Sequence, residues 1–245
     1  MSIIRAVCEQ DEYCYVELWS FTESLKELDR KLDDIKIEGS LGVSAPIAVS
    51  VPEETLSEMS DKLFEALRDL GYDVDKESVE KGARGYYSPE DQASSFASFA
   101  FKRLLYKVSK SSQHQLLSKP WTETRCPVCG LVPIASIEEF EDEKAPKVRY
   151  KCMCGNSWEF DHFVCPNCKN DRAEDFEIQH VGRVPVYICK KCGHLVLMAN
   201  SKDIVSPGDE EVLPIVAAIA INAMMSSEEE EDFIESPEGD EHDET

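Results

Sequence analysis

No apolar run in this chain is long enough to cross a bilayer. The longest, Val212 to Met225, is about 14 residues and contains Pro214, against roughly 20 for a membrane helix. The first residues, Met1-Ser-Ile-Ile-Arg-Ala-Val-Cys-Glu, lack the apolar stretch of a signal peptide and turn acidic at once, so a cytoplasmic location with no membrane partner is expected. Bases are scarce as well: 26 Lys and Arg stand against 49 Asp and Glu, a formal net charge of −23. A phosphate-binding face needs clustered Lys and Arg, and their absence argues against nucleic acid as a partner. Also missing are a glycine-rich phosphate cradle, a nucleophile with a sequence-visible base and a paired-carboxylate motif, so the sequence reads as no enzyme and offers no catalytic residue.

The acidity is uneven. Of the −23, −11 falls within residues 228–245, which hold no base and almost nothing apolar. That segment is expected to be a disordered acidic tail on a folded body of mild acidity.

Three helices are expected ahead of residue 118. Phe21, Leu25, Leu28, Leu32 and Ile35 recur at helical spacing, with Ser20 and Glu23 in capping-box positions. Ser50-Val51-Pro52-Glu53 opens a second helix through Leu56, Met59, Leu63, Leu67 and Leu70, with Gly71 placed to end it. Ser88-Pro89-Glu90-Asp91 opens a third that carries Phe96, Phe99, Leu104 and Leu105 as core positions and runs to about Ser109. Residues 1–18, with Cys8 and Cys14, stay unassigned. After Trp121 the texture turns to short β-branched and aromatic runs, Val148-Tyr150, Trp158-Phe160 and Val184-Ile188, around cysteine pairs. A charged insertion from Glu138 to Lys147 is expected to be a loop, and Val212 to Met225 a buried closing helix.

Against these absences stand ten cysteines. In a reducing compartment, paired cysteines point to metal rather than to disulfides. Eight of them form four pairs: Cys126 and Cys129, Cys152 and Cys154, Cys165 and Cys168, Cys189 and Cys192. Two residues between cysteines let one tight turn aim both sulfurs at one ion, and a second such turn completes a tetrahedral four-sulfur shell. Glycine follows three of the pairs, where a positive φ closes the turn. Consecutive pairing gives one ion to Cys126, Cys129, Cys152 and Cys154 and another to Cys165, Cys168, Cys189 and Cys192; interleaved pairing and a disulfide relay are the alternatives. The spacing of Cys152 and Cys154 is one residue short. Arg125, Lys151, Lys190 and Lys191 are candidates to offset the thiolate charge. Cys8 and Cys14 lack knuckle spacing and read as unliganded, and His114, His162, His180, His194 and His242 are not needed as ligands. Cysteine spacing alone makes zinc at least as suitable as iron.

The stretch from Cys126 to Cys192, with Cys126-Pro-Val-Cys-Gly130, Pro133, Ser136, Arg149-Tyr150, Trp158, Cys165-Pro-Asn-Cys168 and Cys189-Lys-Lys-Cys192, resembles the formate dehydrogenase accessory protein family (FdhE). The resemblance implies an N-terminal helical region, two rubredoxin-like modules associated with iron, and a cytoplasmic role in formate dehydrogenase maturation through contact with its catalytic subunit. This sequence departs from that family in its Cys-x-Cys pair, in His162 where the family tends to have arginine, and in the 138–147 insertion and the acidic tail.

The expected fold is therefore α+β: a helical bundle over 1–118, rubredoxin-like or zinc-ribbon four-cysteine modules over 119–163 and 164–200, a short helical segment over 201–227, and the tail over 228–245. The expected function is a maturation factor that binds a protein client, the catalytic subunit of a formate dehydrogenase or a related molybdenum or tungsten enzyme, with two metal ions, zinc or iron. The alternatives are a zinc-ribbon interaction module in transcription or translation and a redox-responsive thiol or metal carrier.

Overall fold

A computed structural model describes residues 3–85, 88, 90–140, 147–160, 162–202 and 207–234. Its N-terminal part is helical: α1 (Ile3–Cys8), α2 (Glu12–Asp33), α3 (Glu53–Asp69), α4 (Lys76–Ala83) and α5 (Gln92–Ser111). Helix α2 starts well before Ser20. Its cap is Asp11, whose carboxylate accepts the N–H of Cys14 at 3.0 Å, so the Ser20 and Glu23 capping box is not a helix start. The earlier start also changes the buried stripe, which runs through Leu18, Leu25, Leu28 and Leu32 while Phe21 faces solvent.

Helix α3 begins at Glu53 as its sequence suggests, and Gly71 follows its end with φ 82°. Helix α5 is capped by Asp91, which accepts the N–H of Ser94 at 2.9 Å; Ser88 stands outside it, three residues before the cap. Leu104 and Leu105 are fully buried, whereas Phe96 and Phe99 are partly buried at the edge of the core. Helix α4, absent from the expected set, is a short element capped by Asp75 with Val79 as its buried apolar side chain.

Cys8 and Cys14 are joined by a disulfide with their Cα atoms 5.6 Å apart. This corrects their reading as two unassigned thiols, since the bond closes α1 onto the first turn of α2.

Among the described residues six strands follow: β1 (Ala135–Glu139), β2 (Lys147–Lys151), β3 (Ser157–Phe160), β4 (Phe176–Val181), β5 (Val184–Cys189) and β6 (Leu195–Asn200). They make one sheet in the order β3-β2-β1-β6-β5-β4. Each cysteine-bearing half is an antiparallel three-stranded unit. The halves join where β1 runs parallel to β6, with Ala135 opposite Leu197 and Glu138 opposite Asn200. The expected boundary at 163/164 thus falls inside a continuous sheet. Tyr150, fully buried, seals that boundary: its hydroxyl meets both the carbonyl and, at 3.2 Å, the N–H of Val164.

Glu138, Glu139 and Lys147 of the expected loop belong to β1 and β2, and 141–146 lie outside the described residues. Helix α6 (Pro207–Ile234) closes the fold, burying Val212, Leu213, Ile215, Val216 and Ala217 against the sheet, α1 and α2. It starts later and ends later than the expected 201–227 segment, so 228–234 of the expected disordered tail are helical, and 235–245 lie outside the described residues. Among the described residues no helix is long and apolar enough to cross a membrane.

Candidate metal centre

The four cysteine pairs sit on four tight turns of one design. In the first, Cys126 N–H bonds Leu131 O at 3.0 Å and Gly130 N–H returns to Cys126 O at 3.0 Å. The third repeats the two bonds between Cys165 and Asn170 and between Lys169 and Cys165, and the fourth repeats them between Cys189 and His194 and between Gly193 and Cys189. The second turn keeps both bonds with one residue fewer: Cys152 N–H reaches Asn156 O and Gly155 N–H reaches Cys152 O, each at 2.9 Å. The Cys-x-Cys spacing is therefore a shortened knuckle. Gly130, Gly155 and Gly193 hold the left-handed closing position with φ 77°, 100° and 70°, and in the third turn Lys169 holds it at φ 60°.

These turns bring the eight sulfurs into two groups. Cys126, Cys129, Cys152 and Cys154 form one, Cys165, Cys168, Cys189 and Cys192 the other, with the sulfurs of each group all within 4.8 Å of one another. Cross-pair separations are 3.7 Å for Cys126–Cys154, 3.4 Å for Cys129–Cys152, 3.5 Å for Cys165–Cys192 and 3.6 Å for Cys168–Cys189. A disulfide would need about 2.05 Å. A tetrahedron with metal–sulfur bonds of about 2.3 Å has edges of about 3.8 Å. The donor chemistry and spacing thus fit a four-thiolate ion, and either group could hold one. The grouping is consecutive, not interleaved. Neither group includes a histidine: His194 Nε2 lies 2.9 Å from Pro133 O and His114 Nε2 lies 2.7 Å from Gly42 O.

Burial pushes the Cys165 and Cys189 thiols up, and local dipoles only partly oppose it. Backbone N–H groups of Asn167 and Cys168 point to the Cys165 sulfur, those of Lys191 and Cys192 to Cys189, and that of His194 to Cys192. Burial opposes ionisation of Cys192, but its N–H and thiol neighbours hold it at about 7. In the first group burial likewise opposes ionisation of Cys126, and contacts from Cys129, Cys152 and Cys154 outweigh it, while Cys152 and Cys154 are pushed up. Four thiols in mutual contact share their protons unequally, which is the arrangement a cation resolves by displacing them.

The bases expected near the sulfurs are elsewhere. Arg125 donates to Gly130 O, Lys151 to Glu210 at 3.4 Å, Lys190 to Glu174 O, and Lys191 to Asn170 and Asp175. The first site is attended by one residue of its own second turn and by groups from distant parts of the chain. Asn156 Nδ2 lies 3.8 Å from the Cys126 sulfur. The half-buried ammonium of Lys102 on α5 lies in the field of Cys129, Cys152 and Cys154, with burial lowering its pKa. Buried Arg103 donates from Nη1 to Met153 O at 2.9 Å, and Tyr106 packs on Gly155 so closely that a Cβ there would meet Cδ1 at 3.0 Å. From the α2–α3 connection, Ile47 and Ala48 N–H groups bond Pro127 O and Val128 O at 2.9 Å each. Only Asn156 carried a local signal, its place in the turn; the α5 side chains are brought in by tertiary packing.

No family model matches the chain. Among curated proteins it is similar to the protein FdhE homologs of Yersinia enterocolitica and Yersinia pestis, each 26% identical over 106 residues, 42% of this chain and 33% of the relative. The match spans about a third of the length of those relatives. Among solved structures it is similar to the FdhE protein from Pseudomonas aeruginosa, at 13% identity and a TM-score of 0.47 over 92% of this chain and 88% of that one. These curated relatives carry the name of the family that the cysteine series resembles.

Proposed function

We propose that this chain is a non-catalytic accessory protein that holds two metal ions, one on Cys126, Cys129, Cys152 and Cys154 and one on Cys165, Cys168, Cys189 and Cys192. In this reading it works in the cytoplasm, using the fused knuckle sheet to bind the catalytic subunit of a formate dehydrogenase or a related molybdenum or tungsten enzyme during maturation. The observation that carries the proposal is the pair of four-sulfur groups at tetrahedral spacing in a chain similar to FdhE homologs. A closed four-thiolate shell has no open position for a substrate, so the ion supplies rigidity to a recognition surface rather than Lewis acidity to a reaction.

The test is a pull-down from the native cytosol with metal-loaded chain and with the Cys165→Ser, Cys189→Ser chain, at low and high salt. The expected result is recovery of the redox-enzyme subunit by the loaded chain alone, weakened by salt because a net charge of −23 adds a screened component to the contact. Recovery of ribosomes, RNA polymerase or nucleic acid instead would overturn the reading in favour of a general interaction module.

A further inference from the structure

The two four-sulfur groups are built alike and seated differently. The first is enclosed: Cys126, Cys152 and Cys154 are buried, Cys129 is half-buried, and the helical part grips the group from two sides. On one side are the backbone bonds of Ile47 and Ala48 to the Pro127–Val128 turn. On the other, Arg103 holds the Met153 carbonyl while its Nε bonds Asp29 of α2 at 2.7 Å, and Tyr106 covers Gly155. In the second group Cys168 and Cys192 are exposed. Its turns carry the exposed pair of Lys169 with Glu123 at 2.6 Å and the partly exposed pair of Lys191 with Asp175 at 2.7 Å, which restrain a turn weakly, beside one bond from Lys191 to buried Asn170 at 2.6 Å.

Exchange at a closed tetrahedral shell needs an incoming donor to reach the ion, or a thiolate to swing off it. Access and turn mobility therefore set its rate, and both depend on what surrounds the ligands. Two of four ligand residues facing solvent provide both at the second group; at the first, three of four are buried and their turns are held by the helical layer, with Cys129 alone half-buried.

We infer that Cys165, Cys168, Cys189 and Cys192 form an exchangeable site for a thiophilic divalent cation, open to an external thiol or chelating donor, while Cys126, Cys129, Cys152 and Cys154 form a fixed centre locked by the helical layer. Exchange here is ligand substitution without redox change: the ion leaves to the incoming donor and the freed thiolates take protons from water. The inference rests on the reading that both groups hold metal.

The experiment uses the full chain loaded with zinc and mixed with the chromogenic chelator pyridylazoresorcinol. Total zinc is measured first. A content other than two per chain would fail the two-metal reading and this inference with it, whereas two per chain followed by a single release phase would overturn this inference alone. The expected course is two phases of one zinc each, separated by at least about ten-fold in rate, the scale on which outer contacts act on a metal site. Cys168→Ser should remove the fast phase and leave the slow one. Arg103→Gln should speed the slow phase by roughly ten-fold or more and leave the fast one unchanged. Circular dichroism verifies that each variant is folded. Loss of the slow phase in Cys168→Ser, or acceleration of the fast phase in Arg103→Gln, would reverse the assignment and overturn it.

Discussion

The guanidinium of Arg103 donates to the main-chain carbonyl of Met153, the single residue between Cys152 and Cys154. That bond ties the one-residue-short knuckle to the helical layer, because the same guanidinium is held by Asp29 on α2. Replacing Arg103 with alanine removes the bidentate partner of the Asp29 carboxylate, about one-seventh exposed (14%), and leaves it only the longer contact to Lys107 Nζ at 3.9 Å. The expected loss is about 3 kcal/mol in urea unfolding of the metal-loaded protein. A loss under about 1 kcal/mol would mean that the clamp is ornamental.

At Gly130 two constraints coincide. Its φ of 77° disfavours any side chain, and an added Cβ would sit 3.0 Å from Pro46 Cγ. Gly193 has the same conformation, φ 70°, with open space around it. Gly130→Ala should therefore destabilise more than Gly193→Ala, which should lose about 1 kcal/mol from conformation alone. Denaturant melts at one fixed zinc concentration compare them, and equal losses would show that Pro46 yields freely.

Glu58 sets an acid limit on the helical part. Lys62 first, and then the N–H groups of Glu38 and Gly39, hold its carboxyl down from 4.5 to about 2. A carboxyl depressed by folding stabilises fully above its unfolded pKa, and that contribution is lost as pH falls from about 4.5 towards about 2. Glu58→Gln should flatten this portion of the stability–pH curve relative to the parent chain and leave the neutral region parallel. An unchanged acid limb would remove Glu58 as its cause.

The double substitution Cys8→Ser, Cys14→Ser should leave metal content untouched, since both lie outside the two sulfur groups. It should lower stability by about 2 kcal/mol, as expected for a short disulfide loop. Elemental analysis and thermal melting read the two effects separately. A drop in bound metal would draw α1 into the metal sites.

The knuckles were legible because their chemistry is local: four spacings and three glycines specify the turns within about six residues each, whereas the grouping, open to interleaving, depended on how the turns meet in space. The α3 segment was legible from apolar periodicity and the α6 segment from its continuous apolar run. Other features were hidden for distinct reasons. Helix α4 buries one apolar side chain within its short span, too little for a periodic signal. Strand β1, Ala135–Glu139, ends in two glutamates and reads as charged loop until β2 and β6 flank it. At α2 the Ser20 and Glu23 pair mimics a start, while the true cap, Asp11, sits among acids that disguise it. Arg103, Tyr106 and Lys102 read as ordinary positions of an amphipathic helix, because what they touch lies some fifty residues away in sequence.

The parallel pairing of β1 with β6 makes the two cysteine units unfit for separate lives. A chain divided at 163/164 would keep a full set of four thiols on each fragment, yet each would carry a bare backbone edge, β1 on one and β6 on the other, with Val164 torn from the Tyr150 hydroxyl. Open edges of that kind recruit whatever strand they meet, and here the best complement is the other fragment. Fission of the gene at that point would turn a sheet within one molecule into the interface of a heterodimer.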